Sequence, residues 1–152
     1  MNLPKSHVGA MLSTLQQGRD LPADPVGAVA LACVVEADEV IGSMVSTAEG
    51  MVTVLLLTES SIVYAHFPLD ISGFGGRRME ANVGVWRRLV SEVTAIEVPR
   101  VEAAEFPDSW FVSPSYVIRF ASHPDLVLDS WSDTEVADFV PSLLQRWIPR
   151  LT

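Results

Sequence analysis

The sequence predicts an α+β domain: a leading helical segment, seven antiparallel strands forming a barrel or sandwich, and one amphipathic helix capping it. Three observations carry this expectation. Short runs rich in Val, Ile, Leu and Thr follow one another from Val40 to Trp131, separated by turn residues. The last twenty residues repeat apolar side chains at intervals of three and four. The 152 residues are the usual size of one domain, and a 49% hydrophobic share supports a core without disulfides or metal.

The first helix is expected over Lys5–Gln17, where Val8, Met11, Leu12 and Leu15 share one face and Gly18 suits a C-terminal cap. Asp24-Pro25 is a start signal for a second helix, Pro25 to about Ala37, because Asp caps the free N–H groups and Pro fits the first turn. This leading segment, residues 1–38, is expected to pack on the domain formed by residues 39–152. Val40–Thr47 reads as a strand. Met51–Thr58 reads as a second, apolar enough to be buried on both faces. After the turn Glu59-Ser60, Ser61–Phe67 alternates as a third, completing a hairpin.

Pro68–Asn82, with Gly73, Gly75 and Gly76, reads as a loop. Val83–Val90 and Thr94–Val101 are expected as the fourth and fifth strands. Glu102–Ser113, containing Trp110, is expected to be irregular. Tyr116–Ala121 and Leu126–Trp131 complete the set around the turn signal His123-Pro124-Asp125. Ser132 and Glu135 form a capping box for a helix from Asp133 to Ile148. Val136, Phe139, Val140, Leu143, Leu144, Trp147, Ile148 and Leu151 make its apolar stripe, and Pro141 is expected to kink it.

The hairpin MVTVLLLTESSIVYAHF, followed by RRLVSEVTAIEVPRV, YVIRFAS, LVLDSW and the final helix, resembles a bacterial pleckstrin-homology-like domain. A strand-ending phrase of the type L-x-S-x-I-x-x-V has a counterpart in Leu89, Ser91, Val93 and Val98 at slightly different spacing. The hairpin is also similar to that of actinobacterial proteins of this size. The resemblance covers Met51–Ile148, about two thirds of the chain. It implies a bent seven-stranded barrel plugged by the C-terminal helix, and a role in binding lipids, peptides or proteins. It brings no catalytic residues.

The net charge of −9 disfavours nucleic acid and anionic membrane, which are bound by excess Lys and Arg. The longest apolar stretch, Val26–Val35, is far short of the roughly 20 residues needed to span a bilayer. The N-terminus lacks the pattern of a signal peptide. A single cysteine, Cys33, forms no internal disulfide and is expected as an inert core residue. These features point to a reducing cytoplasm.

The chemistry-bearing residues are few. His7 and His123 are expected to be solvated. Alternation places His66 on the face of Ile62 and Tyr64, either as a hydrogen-bonded structural histidine or as a ligand or general base. No histidine has metal-ligand spacing to a second donor, so neither a metal nor a cofactor is expected. Gly73–Arg78 matches no phosphate-loop pattern. Arg77, Arg78, Arg87 and Arg88 nevertheless give residues 77–88 a net charge of +3, against Glu80 alone. Such a cluster either binds an anion, an acidic peptide or an inositol headgroup, or pairs with the chain's own acid. Arg87 and Arg88, adjacent in a strand, must face opposite ways. Trp110 and Phe111 either cover the barrel mouth or form an exposed contact patch. The expectation is a non-catalytic module binding a protein or peptide. The rivals are a small-barrel enzyme using His66 or carboxylates, and a headgroup adaptor using the arginines.

Overall fold

The computed structural model describes residues 1–17, 19, 25–68, 83–128 and 133–148. Gly18, Arg77, Arg78, Trp131, the Ser132 capping box, Leu151 and the glycine loop lie outside them. The fold is α+β, with two antiparallel sheets of four and three strands and a C-terminal helix. Its contacts divide it into two compact units, Met1–Arg88 and Leu89–Thr152.

The first unit begins with α1 (Lys5–Gln16), which buries Met11 and Leu15 on the expected face. Helix α2 (Pro25–Ala32) starts where Pro25 predicts but ends well before Ala37. The β-branched Val34 and Val35 follow its last turn. There the hydrogen bonds tighten, with Val34 N–H reaching Leu31 carbonyl at 3.0 Å. Leu31 and Val35 take the buried positions. Cys33 is exposed between them, a correction to its expected place in the core. A short 3₁₀ turn, Ala37–Glu39, follows and is closed by a reciprocal Glu36–Glu39 capping box.

Strands β1 (Gly42–Ala48), β2 (Met51–Leu57), β3 (Ser61–Pro68) and β4 (Gly84–Leu89) form the four-stranded sheet in chain order. Glu49 and Gly50 both have positive φ, 54° and 74°, which gives the β1–β2 turn the twist a two-residue hairpin needs. At the β2–β3 turn, Thr58 Oγ1 accepts the N–H groups of Ser60 and Ser61 at 3.3 and 3.0 Å, so the buried Thr58 and Ser61 leave no polar gap. One sheet face, carrying Val45, Val52, Val54, Leu56, Val63, Ala65 and Phe67, packs on α1 and α2. Met44, Leu55, Leu57 and Ile62 on the other face are fully buried too, as the largely apolar β2 predicts. Gly27 lets α2 approach the sheet: a Cβ there would stand 2.2 Å from the Phe67 ring.

The second unit opens with the 3₁₀ turn Val90–Glu92. Strands β5 (Val93–Phe106), β6 (Ser109–Phe120) and β7 (Leu126–Leu128) follow as a sheet of order β5-β6-β7. Glu102–Ser113, expected to be irregular, is instead a continuous ladder running from Arg100↔Ser115 to Phe106↔Ser109. Its backbone bonds form without a buried face, so the alternation that marks a half-buried strand is missing. Helix α3 (Asp133–Trp147) continues through Pro141, which is exposed, and it lies against the Val90–Glu92 turn. Phe139, Val140 and Leu143 are buried, and Trp147 Nε1 donates to Val93 carbonyl at 2.9 Å. Ile148, expected on the buried stripe, is 54% exposed, because it falls in the tightened turn past the last helical residue.

Among the described residues the expected closure into a barrel is absent. Among the described residues no ladder joins the two sheets. The Val90–Glu92 turn separates β4 from β5, and β5 pairs with β6 alone.

Candidate functional site

Strand alternation separates Arg87 and Arg88, the two arginines of the 77–88 cluster that are described, as expected. Arg87 Nε donates to Ser61 Oγ at 2.9 Å, Nη1 to Val34 carbonyl at 2.7 Å, and Nη2 to Glu39 at 3.3 Å. Its fork therefore ties β4 to β3 and to the chain leaving α2. The Glu39 carboxyl is held below its ordinary pKa range, first by the Glu36 N–H and then by Arg87. Arg88 sits over the Trp86 ring at 3.7 Å, and Trp86 stacks on Tyr64 with centroids 5.1 Å apart. This column is a cation–π arrangement on the opposite side of β4 from Arg87.

His66 is half-buried, with Nδ1 3.0 Å from Thr53 Oγ1 on the neighbouring strand. This bond satisfies one ring nitrogen within the sheet. His123 lies 3.8 Å from Glu92. His7 lines a cleft of about 150 Å³ with Glu36 and Asp38, floored by Ala10, Ala32 and Val35. Among the described residues no three His, Cys, Asp or Glu side chains are arranged to hold a metal ion.

The largest departure from ordinary surface chemistry lies elsewhere, on the outer half of the β5–β6 hairpin. Every residue from Glu97 to Val112 is exposed. Trp110 is 62% exposed and Phe111 50%, so both stand open to solvent and cover no barrel mouth. The register places Val101↔Pro114, Ala103↔Val112 and Glu105↔Trp110 as facing pairs, so these six side chains share one face. The other face carries Phe106, Phe111 and the Arg100–Glu102 ion pair. A shift in pairing between Glu97 and Arg100 bulges β5 at Val98-Pro99, where the arm leaves its base.

Sequence reasoning singled out Trp110 and Phe111 but missed Val101, Glu105, Phe106, Asp108 and Val112. The available signal was Pro107-Asp108, a turn pair flanked on both sides by apolar residues and aromatics. No protein-family model, no curated protein and no solved structure matches the chain.

Proposed function

We propose that this chain is a non-catalytic binding module that engages a protein or peptide through the β5–β6 arm. The observation that carries the proposal is the exposure of Phe106, Trp110, Phe111 and Val112 together at the end of a two-stranded ribbon. Large aromatics concentrate at protein contacts, where they bury much surface at little conformational cost. Large apolar side chains left open on both faces of one ribbon end mark an interaction site. The element order of the two sheets and closing helix supports the resemblance to pleckstrin-homology-like domains, which implies binding of lipids, peptides or proteins. The net charge of −9 weighs against nucleic acid and anionic lipid as partners. No helix among the described residues is long and apolar enough to cross a membrane. The single cysteine, which can form no disulfide within the chain, fits a reducing cytoplasmic setting.

The test is affinity capture from source-cell extract with the wild-type chain and with a Trp110→Ser/Phe111→Ser variant. The variant should lose the partner and keep its fold, because exposed side chains contribute within about 0.5 kcal/mol of stability. Identical capture by both chains would refute the arm as the contact device.

A further inference from the structure

We propose that the tip of the arm takes a basic, apolar segment of a partner protein, with a lysine or arginine of that segment seated on Trp110 against Glu105. This rests on the arm being the contact device and adds the chemistry of its occupant. Between Glu97 and Val112 the arm carries four carboxylates against Arg100 alone, a net charge of −3. Two of the four are compensated: Glu97 pairs with Arg119 at 3.0 Å, and Glu102 pairs with Arg100. Glu105 and Asp108 have no ion-pair partner among the described residues. Both stand at the aromatic tip, Glu105 directly across the ladder from Trp110 and Asp108 in the turn.

An exposed indole face attracts a cation through its quadrupole, and a carboxylate on the same face adds a charge-assisted hydrogen bond. Val101, Ala103, Val112 and Pro114 continue that face down the arm, so the residues flanking the cation should be apolar. Pro99 and Pro114 each lack a backbone donor along the ribbon, which favours docking onto the side-chain face over addition of a strand. A second copy of this chain is a poor occupant, because it presents the same acidic arm on a chain of charge −9.

The experiment titrates the full ¹⁵N-labelled chain with a synthetic peptide of alternating Arg and Val, and with its Glu-for-Arg counterpart. The readout is the indole N–H resonance of Trp110, identified by its absence in Trp110→Ala, together with the backbone amides of Ala103 and Val112. The Arg peptide should shift these signals, and the Glu peptide should not. Affinity should fall with added salt and drop about fivefold in Glu105→Gln and again in Asp108→Asn, the loss expected for single exposed charge contacts. Trp110→Ala should abolish the amide shifts. Equal binding of both peptides, no binding of the Arg peptide, or indifference to Glu105→Gln and Asp108→Asn would overturn the proposal. So would a dimer in sedimentation velocity that dissociates in Trp110→Ala, which would make a second copy the occupant. If partner capture depends on Trp110 while the peptide titration shows no charge preference, only this inference falls. If capture is indifferent to Trp110, the binding-arm reading falls with it.

Discussion

Replacing Gly27 with Ala sets two known effects against each other at one position. An alanine in a helix is favoured over glycine by about 1 kcal/mol. The added Cβ, however, would lie 2.2 Å from the tip of the Phe67 ring and 2.5 Å from two further ring carbons. Carbon atoms pack at about 3.5–4.0 Å, so ring or helix must move by more than 1 Å. Phe67 is nearly buried in the cluster between α1, α2 and the sheet, and forcing extra volume into such a core costs about 1–3 kcal/mol. Strain should win, and Gly27→Ala should destabilise the chain by up to about 2 kcal/mol. Phe67→Leu on its own should cost a similar amount. It also vacates the space the new methyl needs, so the double variant should be more stable than the sum of the singles by about 1 kcal/mol or more. Urea unfolding of the four chains measures this, with unchanged slopes confirming comparable unfolding. A stabilised Gly27→Ala, or a double variant additive within about 0.5 kcal/mol, would refute the close approach of α2 to Phe67.

Three further outcomes test the remaining anchors. Phe139 is 1% exposed, so Phe139→Ala should destabilise by about 3–5 kcal/mol through lost burial and a cavity, measured as a fall in the urea midpoint. Arg87→Lys should not restore the wild-type melt, because an ammonium cannot reproduce a fork reaching Ser61, Val34 and Glu39 at once. Glu39 has a folded-state pKa below its unfolded value, so its contribution is present above the ordinary carboxylate range and is lost as pH falls through the folded pKa. The stability difference between wild type and Glu39→Gln should therefore shrink in acid and stay level at neutral pH. A difference that grows on acidification would contradict the Arg87–Glu39–Glu36 arrangement.

What could be read from the sequence was whatever a buried face imprints on it. Met11 and Leu15 on α1, the apolar residues of β2, and Phe139, Val140 and Leu143 on α3 all lie where the sequence pattern put them. Thr58 and Ser61 bracket the turn that Glu59-Ser60 signalled. The misses share one cause. Cys33 and Ile148 are apolar residues just past the ends of helices, where the periodic face no longer applies. The arm has no buried face, so its long ladder left no alternation to read, and Ala103, Ala104 and the acids around them resembled a loop. Barrel closure is a matter of which edges meet, and no local pattern encodes that. Of the site, the aromatic pair was visible as an anomaly. Its cross-strand neighbour Glu105 was not, because facing pairs depend on register.

An exposed two-stranded ribbon is marginal in water, and its free edges invite aggregation. This one is held at its base, where Ile118 and Phe120 are buried, β7 adds a third strand, and Trp147 bonds to Val93. Along its length the edges carry the devices that discourage pairing with another sheet: Pro99 beside a bulge, Pro114, and charges at Glu97, Arg100 and Glu102. Those protections stop short of the tip, where Phe106, Trp110 and Phe111 remain open. A ribbon shielded against indiscriminate pairing but left apolar at its end favours docking by side chains over edge addition. The two carboxylates at that end, without an ion-pair partner among the described residues, then select among apolar surfaces by charge, since an acidic partner would be repelled and a neutral one would leave Glu105 and Asp108 without a cation at the contact.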